Sequence, residues 1–93
     1  MTATDAAAFD PTASYRVGDQ VVLRREAFGA LAYDLHTRGL RVLRDPDLVT
    51  VLEHLDEASS AEEALQVVAT DKRRQLLAAL AKLEREGVIH VNR

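Results

Sequence analysis

Leu40-Arg41-Val42-Leu43-Arg44-Asp45-Pro46-Asp47-Leu48-Val49-Thr50-Val51-Leu52 is the stretch in which the chain changes its period. Up to Leu43, apolar residues recur with the spacing of two that marks a strand. Beyond Arg44, Leu48, Val51, Leu52 and Leu55 fall at i, i+3, i+4 and i+7, one face of a helix. Asp45-Pro46 marks the change: the aspartate offers a capping oxygen, and the proline sits in a first turn, where its missing N–H is no loss. Strands before and helices after this point predict an α+β fold.

The pattern extends towards the N-terminus as short alternating runs. Val21 and Leu23 alternate with Val22 and Arg24, and Leu31, Tyr33 and Leu35 alternate with Ala32, Asp34 and His36. Gly18-Asp19 punctuates the first boundary, and Glu26 to Gly29 forms a loose connection. Thr37-Arg38-Gly39 suits a three-residue hairpin loop with Gly39 in the left-handed position. These runs predict a three-stranded antiparallel meander preceded by a short extended piece at Tyr15-Arg16-Val17. Towards the C-terminus, Ser59 or Ser60 caps a second helix with the stripe Ala61, Ala64, Leu65 and Val68. Thr70 or Asp71 caps a third, with the stripe Leu76, Leu77, Leu80 and Leu83, which Gly87 ends. Val88-Ile89-His90-Val91 reads as a short wing strand. The expected fold is a winged helix-turn-helix with an N-terminal three-stranded antiparallel sheet, three helices and a short C-terminal wing strand. Residues 14–93 would form this single domain, and 1–13 a disordered tail in which Phe9 alone could dock onto the body.

A chain of 93 residues suffices for one domain. With 47% hydrophobic residues and two Phe and two Tyr as its aromatics, its core must be built from Leu, Val and Ala. Such a core implies a stability on the order of 5 kcal/mol. The absence of cysteine excludes disulfides, thiolate catalysis and cysteine-held metal. No apolar run is long enough to span a membrane, and no basic n-region precedes an apolar one, so a cytoplasmic protein is expected. The formal net charge of −3 argues against a dedicated nucleic-acid binder, whose affinity comes from neutralising phosphates.

No catalytic constellation emerges. His36, His54 and His90 show no metal-ligand spacing, Ser14, Ser59 and Ser60 read as tail and caps, and no phosphate-cradling glycine loop is present. We therefore expect no catalytic residue, no cofactor and no metal. Two basic stretches remain. Lys72-Arg73-Arg74 opens the third helix, where a DNA reader would begin its recognition helix. Against that, cations oppose the dipole at a helix N-terminus, and Glu84 and Glu86 lie on the same helix. A solvated basic turn and contact with an acidic peptide are the other readings. Gly39 to Arg44 ends the meander and so lies at a sheet edge. Arg41 and Arg44 there either protect the edge or receive an acidic peptide that adds as a further strand.

Three segments, Val21-Val22-Leu23-Arg24-Arg25, Phe28-Gly29-Ala30-Leu31-Ala32-Tyr33-Asp34 and Gly39-Leu40-Arg41-Val42-Leu43, carry a resemblance, followed in order by Asp45-Pro46 and Val51-Leu52. Together they resemble the peptide-recognition domains of ribosomal-peptide biosynthesis, the family of the pyrroloquinoline-quinone and mycofactocin peptide chaperones. The resemblance covers residues 10–93 and is sharpest from Tyr15 to Leu55. It implies a peptide chaperone that is not an enzyme. Such a protein binds the leader of a precursor peptide and presents its core to a radical S-adenosylmethionine maturase, which in the mycofactocin system acts on a C-terminal Val-Tyr. In the family the leader pairs with the third strand of the sheet and lies in a groove against the third helix. Carried onto this chain, the peptide-binding residues are Leu40, Arg41, Val42, Leu43 and Arg44 on the strand, with Arg73, Leu77 and Ala81 on the helix flank and Arg74 at its margin. Val42, Leu77 and Ala81 would floor the groove. One departure is Arg44, which stands where the family has an apolar residue before the Asp/Asn-Pro turn; a register shift of one residue would swap the two faces of the strand. The implied partners are the leader and the maturase, with no nucleic acid and no membrane, the chain itself being a monomer or a weak homodimer through its edge strand. The alternative from another class is a winged-helix DNA-binding transcriptional regulator, which would ordinarily dimerise across two half-sites.

Overall fold

The computed structural model describes residues 9–92. Strands β1 (Tyr15–Val17), β2 (Val21–Glu26), β3 (Gly29–Asp34) and β4 (Leu40–Leu43) precede helices α1 (Pro46–His54), α2 (Ala61–Ala64) and α3 (Thr70–Arg85), and β5 (Ile89–Val91) follows. A 3-10 turn, Leu65–Val67, continues α2. The result is an α+β arrangement with antiparallel sheets: β2-β3-β4 form one, and β1 pairs with β5 in the other. The meander and the three helices stand where the sequence places them. The extended piece at Tyr15 does not merely precede the meander; it is the partner of the last strand, a pairing too distant in sequence for local patterns to reveal.

The helix starts follow from their caps. The Asp45 side chain accepts from the Asp47 N–H at 2.9 Å, and Pro46 occupies the first turn of α1. Ser60 caps α2 by accepting from the Glu63 N–H at 3.0 Å, while the Glu63 carboxylate accepts from the Ser59 N–H at 2.6 Å. The next two backbone donors of α2 are satisfied from an earlier segment: Ala61 N–H donates to the Ala13 carbonyl and Glu62 N–H to that of Pro11. For α3 the expected caps are corrected. Thr70 and Asp71 both lie inside the helix, and the capping position is Ala69, which has no side-chain oxygen to offer. Gly87, at φ +83°, ends the helix as expected.

The core is aliphatic. Leu52, Leu55, Leu65, Leu76, Leu80 and Ile89 are almost wholly buried around Tyr15, and no polar or charged residue is buried among those described. Of the segment read as a tail, residues 1–8 lie outside the described residues. Its end packs on the body: the Phe9 ring stacks on Tyr15 with centroids 4.6 Å apart, and the Asp10 N–H donates to the Tyr15 hydroxyl.

The sheet contributes one face to this core. Ala30 and Ala32 of β3 stand opposite Leu43 and Arg41 of β4, and Ala30, Ala32 and Leu43 are buried. Gly29 makes the approach between the strands possible: a β-carbon there would lie 2.0 Å from the Leu43 carbonyl oxygen, and its φ is +145°. In the β3–β4 hairpin the left-handed residue is Arg38, at φ 65°, and not Gly39. Asp34 imposes that turn: its carboxylate accepts from the N–H groups of His36 and Thr37, so the chain has reversed before Gly39 is reached.

Candidate functional site

Backbone hydrogen bonding defines the site first. Leu35 N–H donates to the Gln20 carbonyl and Asp34 N–H to that of Gly39. Antiparallel pairs alternate between bonded and non-bonded. Counted along the register from these two bonds, Leu31 and Tyr33 bond to β2, while Ala30 and Ala32 bond to Leu43 and Arg41 of β4. The central strand is satisfied on both sides. The N–H and C=O groups of Leu40 and Val42 then point away from the sheet, which makes β4 an open edge.

Beside that edge lies a hollow of about 230 Å³. β4 and the residue after it supply Arg41, Val42, Leu43 and Arg44; α1 supplies Leu48; α3 supplies Ala79, Lys82, Leu83 and Glu86. The floor is apolar and the rim charged, with three cations against one carboxylate. Arg41 is held by an ion pair with Glu86, across the 45 residues that separate strand from helix. This pair also borders a second hollow beneath the β3–β4 hairpin. Strand and helix are thus joined at the mouth of the groove by a contact a ligand could compete for.

The structure brings together some of the residues singled out in the sequence and separates others. Leu40, Arg41, Val42 and Leu43 form the edge strand; Arg44 follows it and is exposed. Arg41 and Leu43 face α3, whereas Leu40 and Val42 lie on the opposite, outer face. Val42 therefore borders the hollow from the edge instead of flooring it. Leu77 and Ala81 do not line the hollow. Each is two residues from Ala79, hence about 160° round the helix at ~100° per residue. Leu77, like Ala79, packs against the core. The Arg73 guanidinium donates to the carbonyls of Leu65 and Val68 at 3.1 and 3.2 Å, closing the 3-10 turn, and Arg74 is exposed. The helix residues that do line the hollow, Ala79, Lys82, Leu83 and Glu86, fall at i, i+3, i+4 and i+7, so the signal was in the sequence as a second stripe.

The basic start of α3 is largely engaged within the chain. The Lys72 ammonium donates to Asp47 at 2.8 Å and lies 3.4 Å from Asp45, and this hydrogen bond to Asp47, aided by the charge of Asp45, raises its pKa above that of an ordinary lysine. Acidic residues at the start of α1 thus offset a cation that the α3 dipole disfavours. With Arg73 tied to the 3-10 turn, Arg74 is left as the exposed cation of that triplet. Among the described residues no three His, Cys, Asp or Glu side chains could hold a metal ion together, and no helix is long and apolar enough to cross a membrane.

Residues 14–90 match the sequence model of the family described as peptide chaperone MftB. The chain is similar to the peptide chaperone MftB of Mycolicibacterium smegmatis, with 37% identity over 83 residues, covering 87% of this chain and 81% of the relative. The proteins of the same name from Mycobacterium ulcerans and Mycobacterium tuberculosis are 35% and 33% identical, over 76% and 72% of this chain and 65% and 62% of their own lengths. No solved structure matches significantly.

Proposed function

The chain belongs to the peptide chaperone MftB family, and from that premise we propose that it binds the leader of a ribosomally made precursor peptide by strand addition to β4. It then presents the peptide to a radical S-adenosylmethionine maturase in mycofactocin biosynthesis. It works in the cytoplasm, as a winged-helix binding module and not as an enzyme. The observation that carries this reading is the open edge at Leu40 and Val42 beside a basic-rimmed apolar hollow. Unpaired backbone groups give register with little sequence demand, and the hollow gives selectivity through alternate side chains. Arg41, Arg44 and Lys82 favour an acidic leader and speed its encounter at low salt. The helix wall of the groove is the Ala79, Lys82, Leu83 and Glu86 face.

The test is conversion of a mycofactocin precursor's C-terminal Val-Tyr by a radical S-adenosylmethionine maturase of that system, with and without the chain, followed by mass spectrometry. Conversion that depends on the chain is expected; equal conversion in its absence would remove the presenting role.

A further inference from the structure

The outer face of the three-stranded sheet turns away from the core. Val22, Tyr33 and Leu40 stand opposite one another across its strands, and Leu31 stands opposite Val42. Val22 is 50% exposed, Tyr33 38%, Leu40 60% and Val42 44%. The solvated face of an antiparallel sheet ordinarily carries polar residues, and a contiguous apolar patch marks a contact surface. A second copy stacked face to face is a poor occupant. Strands of six, six and four residues present roughly 250 Å², against about 800 Å² per partner in a stable interface. An added strand is a better one. A residue directly opposite another on a neighbouring strand projects to the same face, so a peptide on the β4 edge meets Arg41 and Leu43 on the inner side and Leu40 and Val42 on the outer.

We propose that β4 reads its peptide on both faces, and that the peptide carries, from N- to C-terminus, an aliphatic, an aliphatic, an acidic and an aliphatic residue. This rests on the strand-addition reading and specifies the ligand of that site. The order follows from antiparallel pairing, the arrangement of the whole sheet and the more stable one per residue. The first residue lies opposite Leu43 and enters the hollow beside Leu83. The second lies opposite Val42 and covers it on the outer face. The third lies opposite Arg41, where Lys82 and Arg44 line the hollow as two cations besides the one that Glu86 pairs. The fourth covers Leu40.

The test begins with selection of a randomised peptide library, displayed on phage, against the full chain. Enrichment of this four-residue order is expected; no enrichment, another pattern or the reversed order would overturn the proposal. The enriched peptides, made synthetically, are then titrated by fluorescence anisotropy into the wild type, into Val42→Pro and into the double variant Leu40→Thr/Val42→Thr. Threonine keeps the strand preference and removes aliphatic surface. The double variant is expected to bind about fivefold more weakly, two cross-strand contacts' worth, and Val42→Pro at least about tenfold more weakly, since it has lost an edge donor. Loss in Val42→Pro with full binding by the double variant would remove the outer-face reading and leave strand addition standing. Equal binding by Val42→Pro would remove strand addition itself. Should Val42→Pro fail to fold, single N-methylation along the enriched peptide serves the same end: strand addition requires alternate positions to block binding and those between to permit it.

Discussion

The three-stranded sheet has two edges, and they are built oppositely. On β2, the run Arg24-Arg25-Glu26 is charged at every position. Arg24 pairs with Glu26 at 2.8 Å, and Arg25 reaches Glu53 of α1 at 2.9 Å and the Thr50 hydroxyl at 3.1 Å. Charges along an edge, tied down on their own molecule, deter another strand from pairing there. On β4, Leu40 and Val42 are exposed aliphatics, and Arg41 is withdrawn from the edge by its pairing with Glu86. The second half of β2 is closed with charge, whereas β4 is left open. An exposed aliphatic edge is a liability in a free protein, and its retention next to a closed one is evidence that something covers it.

Breaking β4 at successive residues gives the largest effects. Leu43 is buried, and its N–H points to β3. Leu43→Pro therefore costs about 3 kcal/mol or more, and its thermal transition by circular dichroism falls far below that of the wild type. Val42→Pro, one residue away, faces outward and keeps that transition. The same substitution thus separates fold from edge.

The two flanks of α3 give the next contrast. Ala79→Asp places a carboxylate on the wall of the hollow and costs about 2 kcal/mol of binding where the bound peptide excludes water. Both variants lower the thermal transition, since Leu77 and Ala79 both pack on the core, but Leu77→Asp leaves the affinity of the folded fraction unchanged. Anisotropy titrations of both variants decide which flank forms the groove, and equal loss in both would put the groove elsewhere.

How these flanks read in the sequence shows where patterns stop. The change of period at Asp45, the caps at Asp45 and Ser60 and the stop at Gly87 are local chemistry, and each is legible residue by residue. A helix's buried stripe is also legible, but which flank turns towards a given strand depends on how the helices stack. α3 carries small or apolar residues on both flanks, Leu77 and Ala81 on one and Ala79 and Leu83 on the other. β4 misleads for a more informative reason. Its aliphatic alternation, Leu40 and Val42, looks like a core face, yet the inner face is Arg41 and Leu43. Binary patterning is a weaker guide where aliphatics stand on the exposed face of a strand.

Opening the closed edge has a smaller effect. Arg24→Val/Glu26→Val replaces the outer-face charges of β2 with aliphatics and removes the Arg24–Glu26 pair. The variant is expected to keep its fold and to self-associate with rising concentration, as measured by sedimentation velocity. A variant that stays monomeric wherever the wild type does would mean that those charges do not guard the edge.

The smallest effect concerns the tie from β2 to α1. The hydrogen bond from Arg25 holds the Glu53 carboxyl below its ordinary pKa, against the opposing effect of burial. The folded value thus lies below the unfolded one. The contribution of this pair to stability is fully present above the ordinary glutamate range and is lost as pH falls through the lowered folded value. Both side chains are nearly half exposed, so the contribution is modest and screened by salt. Glu53→Gln removes it at every pH. The midpoints of the wild type and this variant should differ slightly at neutral pH and converge as the solution is acidified below the usual carboxylate range, in thermal melts at low ionic strength. A gap that persists undiminished in acid would mean that Glu53 stabilises the edge through packing and not through its charge, and the β2 edge would then be held by the same apolar contacts as the rest of the sheet.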